Sequence, residues 1–140
     1  MPQKFPVERR EVLISPERRK SLDPARVISL LPIEPDHIVA DVGCGNGFFT
    51  FPLAEHLTHG RVFAVDLQDE MLQDVRDRVA EEGIENIEVV RSKELDIPLG
   101  KGRIDGVFSA FMFHETLDPL AFLQLIGALL KPGGWLALLE

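Results

Sequence analysis

Residues 39–50 read Val-Ala-Asp-Val-Gly-Cys-Gly-Asn-Gly-Phe-Phe-Thr, so Asp41 stands two positions before three glycines at alternate places, Gly43, Gly45 and Gly47. A second carboxylate, Asp66, closes the next apolar run 19 residues after Gly47. Glycines let main chain approach a ligand where a side chain would clash. A carboxylate accepts paired hydrogen bonds from the vicinal hydroxyls of a ribose. The spacing therefore suits a nucleoside-like ligand held between two acids.

Three ligands compete for such a loop. A Walker-type phosphate loop needs Gly-Lys-Ser or Gly-Lys-Thr at the helix start, and Phe48-Phe49-Thr50 supply no lysine. A dinucleotide loop needs G-x-G-x-x-G; counted from Gly43 the sixth residue is Phe48, and Gly47 falls one place early. An NAD-dependent oxidoreductase is thus the weaker alternative. Asp41 repels a pyrophosphate and favours a cation. Ribose and positive charge without pyrophosphate describe S-adenosylmethionine, with its amine and sulfonium.

The surrounding pattern says what must position these residues. Ser15-Pro16-Glu17 reads as a helix start, with Ser15 as cap and Pro16 in the first turn. A second start at Asp23-Pro24 runs to about Leu31, before Pro32 and Pro35 end it. Strand-like runs follow at His37–Val42, Arg61–Leu67, Asn86–Arg91, Ile104–Ala110 and Pro132–Glu140. Between them, a helix begins in Phe48–Leu57, and another spans Asp69–Glu82 with Met71, Leu72, Val75 and Val79 on one face and Gly83 as its stop. A third covers Asp118–Leu130, with Leu120, Leu123, Ile126 and Leu130 expected inward. Alternating strands and helices predict a parallel sheet covered on both faces. Apolar runs such as Val62–Val65 and Leu136–Leu139 read as strands buried on both sides. Right-handed crossovers make this a doubly wound, Rossmann-like α/β/α sheet of about five strands, expected in the order 3-2-1-4-5. Its ligand crevice lies beyond the carboxyl ends of the strands, where the glycines sit.

Over about residues 23–140 the sequence resembles the class I S-adenosylmethionine-dependent methyltransferases, close to the small-molecule group called type 11. Val39–Ala54 resembles their first motif and Val62–Leu72 the second; Arg91–Leu99 resembles the third, Ile104–Pro119 the fourth, and Leu129–Glu140 the approach to the fifth strand. The resemblance implies that Gly43, Cys44, Gly45, Asn46 and Gly47 offer main chain to the amino-acid part of S-adenosylmethionine, with Asp41 near its amine. Asp66 takes the ribose, Leu67 lies against adenine, Gln68 stands near the ribose and Met71 behind it. Met71 reads equally well as plain core. Ser92, Lys93 and Glu94 occupy the place that reads the adenine edge, where many relatives carry Gly-Asp-Ala. Ala110 and Phe111 come beside the sulfonium. Phe113, His114 and Glu115 follow on the acceptor side, and His114 is a candidate base for an acceptor that must lose a proton. As a half-exposed loop histidine it has the blander reading. His37, His56 and His59 lack metal-ligand spacing.

Composition bounds the rest. The 140 residues suit one domain, expected over 15–140 behind a loosely structured extension at 1–14. The net charge of −8 disfavours nucleic acid as a partner. The apolar runs are too short to span a membrane, and a single cysteine fits the cytoplasm. Cys44 has no neighbouring base or cation to make it a nucleophile. Transfer of a methyl group to a small molecule is the leading activity, and a cofactor-binding module without catalysis is the alternative. The last strand ends at Glu140 without evident cover, which reads as a missing C-terminal part or as an edge that pairs with a second copy. Nothing in the sequence selects the acceptor atom.

Overall fold

The computed structural model describes Val7, residues 22–110 and residues 116–140. The expected helix start at Ser15 lies outside them, as do the extension apart from Val7 and the residues Phe111, Phe113, His114 and Glu115. The described chain runs α1 (Pro24–Ser29), β1 (Ile38–Val42), α2 (Thr50–His56), β2 (Arg61–Asp66), α3 (Asp69–Glu82), β3 (Ile87–Arg91), β4 (Ile104–Ala110), α4 (Pro119–Leu129) and β5 (Leu130–Leu139). The strands form one sheet in the order β3-β2-β1-β4-β5, with every neighbouring pair parallel. This is the doubly wound order expected from the sequence.

Local chemistry sets the element ends. Asp23 caps α1, its carboxylate accepting from the Ala25 N–H at 3.1 Å, with Pro24 at the first position. Asp118 does the same for α4 through the Ala121 N–H at 3.0 Å. Helix α3 ends at Gly83 in the left-handed conformation at φ 63°, which costs a glycine nothing.

Both faces of the sheet are covered, and the winding changes between β1 and β4. On one face Ile28, Leu53 and Leu57 pack with Val39, Val62 and Phe108, while Leu72 and Val75 of α3 meet Ala64. On the other, Phe122, Ile126 and Leu129 of α4 cover Ala40, Val42 and Val107. No helix joins β3 to β4. The crossing instead lays Ile97, with Leu99 partly buried, on the α4 side of the sheet.

Two expectations are corrected. Of the expected stripe, Ile126 is buried and Leu130, now the first residue of β5, packs against the same core, but Leu120 is 66% exposed and Phe122 and Leu129 hold the other buried positions of α4. Strand β5 is not buried on both sides, since Leu136 and Leu138 remain exposed while Trp135, Ala137 and Leu139 pack inward. Helix α4 sits over β1 and β4 and reaches β5 at Leu130, leaving Leu136 and Leu138 exposed. The β4–β5 register also slips between Ile104 and Gly106, with Ile104 opposite Leu130 and Gly106 opposite Trp135. Residues 131–134 of β5 bulge out of the ladder there, with Gly133 at φ 80°.

Candidate cofactor site

Strands β1 and β2 run side by side, Asp41 opposite Ala64 and Val42 opposite Val65. Both carboxylates therefore arrive at the carboxyl end of the sheet, beside the change of winding. The loop between β1 and α2 is tied back to β2 by the Gly43 and Cys44 N–H groups, which donate to the Val65 carbonyl at 2.8 and 3.0 Å. Gly43, Gly45 and Gly47 all have positive φ, at 77°, 56° and 101°, a region that β-carbon-bearing residues rarely enter. A Cβ at Gly47 would also collide with the Phe51 ring. The loop thus needs its glycines for its own shape as well as for any ligand.

Asp66 organises the loop. One carboxylate oxygen accepts the Gly45 N–H and the other the Gln68 N–H, both at 2.9 Å. Asp41 is 2% exposed, and its Oδ2 accepts the Thr50 hydroxyl at 2.7 Å. Burial pushes the Asp41 carboxyl up to about 7, the Thr50 bond opposes this, and the charge of Asp66 adds to it. Cys44 is buried, its thiol held well above the ordinary range by burial and by Asp41 and Asp66. A thiol held neutral in this way is a poor nucleophile. The Cys44 Sγ meets the Gly45 carbonyl at 3.3 Å, and Asn46 is buried in the same loop.

The far wall comes from the β3 exit. An open pocket of about 450 Å³ is lined by Leu67, Arg91, Ser92 and Lys93. The Ser92 N–H donates to the Asp66 carbonyl at 3.0 Å. Of the three residues expected at the adenine edge, Ser92 and Lys93 line this pocket, while Glu94 reaches across to accept the Leu117 N–H at 3.4 Å. Met71 is 1% exposed and belongs to the core of α3. Ala110 closes β4 beside this end of the sheet. Among the described residues no group of histidine, cysteine and acid side chains could hold a metal, and no helix is long and apolar enough to cross a membrane.

Sequence reasoning missed three participants. Thr50, which holds Asp41, is a lone hydroxyl in the run Phe48-Phe49-Thr50-Phe51, and that was its available signal. Ser109 donates its hydroxyl to the Val42 carbonyl at 2.9 Å, pinning β4 to the start of the glycine loop. Arg91 lines the pocket and donates Nε–H to the Leu67 carbonyl at 3.3 Å.

Known proteins share this fold. A family described as methyltransferase domain matches residues 39–134. The crystal structure of a SAM-dependent methyltransferase from Aquifex aeolicus superposes with a TM-score of 0.92 at 35% identity, over 96% of this chain and 72% of that one. The chain belongs to the class I S-adenosylmethionine-dependent methyltransferases. Among curated relatives of this methyltransferase domain, the demethylmenaquinone methyltransferase of Lactococcus lactis is 33% identical over 103 residues, which are 73% of this chain and 41% of that protein. The Staphylococcus epidermidis protein of the same name is 29% identical over 115 residues, 81% of this chain and 47% of that protein. The domain thus spans less than half the length of these two relatives. A Haemonchus contortus phosphoethanolamine N-methyltransferase, solved with phosphoethanolamine and S-adenosylhomocysteine, superposes with a TM-score of 0.70 at 26% identity, over 83% of this chain and 24% of that one.

Proposed function

We propose that this domain seats S-adenosylmethionine in the crevice at the carboxyl ends of β1 and β2 and transfers its methyl group to a small molecule. The observation that carries this reading is the glycine loop held between Asp41 and Asp66, with Gly45 bonded directly to Asp66. A carboxylate has about four acceptor positions, so its bonds to Gly45 and Gln68 leave the geometry compatible with ribose hydroxyls. Buried Asp41, its carboxyl raised to about 7 by burial, suits a ligand that brings a cation. In this reading Leu67 faces adenine, the Gly43–Gly47 main chain flanks the amino-acid part, and Ala110 and Phe111 stand by the sulfonium.

Bound S-adenosylmethionine supplies an activated methyl group on a good leaving group. The chain's own task is alignment: the loop, Asp66 and the pocket wall fix the donor, and proximity alone lowers such a barrier by several kcal/mol. A general base is required only for an acceptor protonated at working pH, and His114 is the candidate for it. The relatives' names make a demethylated quinone the first acceptor to try, and an acid–base-independent small nucleophile the second. A cofactor-binding module without turnover is the alternative, separated by whether S-adenosylhomocysteine accumulates with any acceptor.

The test is thermal unfolding with ligand. S-adenosylmethionine or S-adenosylhomocysteine at 100 times Kd should stabilise the domain by about 2.7 kcal/mol, with NAD inert. A shift with NAD and none with the adenosyl compounds contradicts the reading. Asp66→Ala should weaken binding at least about tenfold, the scale of one lost charged hydrogen bond.

A further inference from the structure

We propose that Ser109 is a positioning residue for the amino-acid end of the bound cofactor, acting through the Val42–Gly43 peptide to set where the glycine loop starts relative to the β4 exit. This rests on the cofactor reading above. At the mouth of the crevice the β1–β2 register continues to Val42 opposite Val65, and the β4–β5 register to Ala110 opposite Leu139. Between the two central strands, the register among the described residues ends one pair earlier, at Asp41 opposite Phe108. The next link across that gap is a side chain. The Ser109 hydroxyl donates to the Val42 carbonyl at 2.9 Å. Ser109 is 1% exposed, so bulk water does not compete for the bond.

That carbonyl belongs to the same peptide group as the Gly43 N–H, which donates the other way, to the Val65 carbonyl of β2 at 2.8 Å. A peptide group is a rigid plane. This one is held from both sides, by β2 through its N–H and by β4 through its C=O. A hydroxyl has one proton to donate, and here it is spent on this plane. The chain turns at once afterwards, with Gly43 at φ 77°, so a tilt of the plane swings the main chain of Cys44 to Gly47 that follows. In the cofactor reading that main chain flanks the amino-acid part. The nucleoside half depends instead on the β2 and β3 exits, joined to each other by the Ser92 N–H on the Asp66 carbonyl at 3.0 Å. Loss of the Ser109 hydroxyl therefore loosens the seat of the tail and spares that of the nucleoside.

Two ligands separate these halves. S-adenosyl-L-homocysteine and 5′-methylthioadenosine share adenine and ribose, and only the first carries the amino-acid tail. Calorimetric titration of the first and its competition by the second give a ratio of dissociation constants that reports the tail. Ser109→Ala should weaken S-adenosyl-L-homocysteine by about tenfold, the scale of one misplaced hydrogen bond to a charged group, and leave 5′-methylthioadenosine within about twofold. A serine that only stabilised the fold would lower the melting temperature of its variant and leave the ratio unmoved. Ser109→Cys keeps nearly the same size with a weak donor and should move the ratio in the same direction as alanine. Circular dichroism checks that both variants fold. An unmoved ratio in Ser109→Ala, or equal weakening of both compounds, overturns the inference while the cofactor reading stands. A wild-type ratio in Ser109→Cys beside a shifted one in Ser109→Ala overturns it too, because filled space and not the hydrogen bond would then set the loop. Failure of wild type to bind S-adenosyl-L-homocysteine overturns the reading beneath it.

Discussion

Asp41 shows how one residue ties the site to the stability of the fold. Its carboxyl, raised from 3.8 to about 7 by burial, holds a proton in the folded chain that the unfolded chain releases. The folded state then binds more protons than the unfolded one between those values, so ligand-free stability falls as pH rises from about 4 to about 7. Asp41→Asn removes that term. Urea unfolding between pH 5 and pH 8 should show the variant gaining on wild type as pH rises; parallel curves would remove Asp41 from the account. A bound cation reverses the preference and favours ionised Asp41. Affinity for S-adenosylhomocysteine should accordingly rise with pH through about 7 in wild type, and rise less in Asp41→Asn. Asp41, Asp66 and the three glycines were legible because their types and spacing alone restrict the ligand. Thr50, Ser109 and Arg91 were not, because their roles depend on which strand end they meet.

At the scale of elements, the alternating pattern gave the strands, the α3 face and the order of the sheet. On α4 it placed Ile126 inward but took Leu120 where Phe122 and Leu129 are buried. Pro119–Leu129 is apolar nearly all round, so helical periodicity offers more than one stripe, and only packing on β1 and β4 selects Phe122, Ile126 and Leu129. For Leu136–Leu139, an apolar run identifies a strand without saying which neighbours cover it. Gly106 escaped notice altogether. It lies opposite Trp135 in β5, and a Cβ there would overlap the indole ring. Trp135 also donates Nε1–H to His37 Nδ1 at 3.4 Å, linking β5 to the entry of β1. Gly106→Val should destabilise the chain by at least about 1–3 kcal/mol, the usual cost of overpacking. Chemical denaturation measures this, and near-neutrality would mean that the indole moves aside freely.

For the whole molecule, one sheet places the glycine loop, Asp41, Asp66 and the β3 exit at its carboxyl end, while the other end holds structural bonds. There Asp105 takes the Ile38 N–H at 2.7 Å and Lys131 at 3.1 Å. On the α4 side of β5, Leu136 and Leu138 are exposed at 36% and 39%, an apolar face that predicts association of copies through it. Sedimentation velocity should show wild type heavier than a monomer and Leu138→Lys shifted toward one; a concentration-independent monomer contradicts it. The central claim is the seat between the two acids, and the most direct measurement is a crystal structure of the chain with S-adenosylhomocysteine. It should show both ribose hydroxyls on Asp66, main chain of Gly43–Gly47 along the amino-acid tail and the base over Leu67. The ligand elsewhere on the sheet, or a crevice that stays vacant at saturating concentration, would contradict the account.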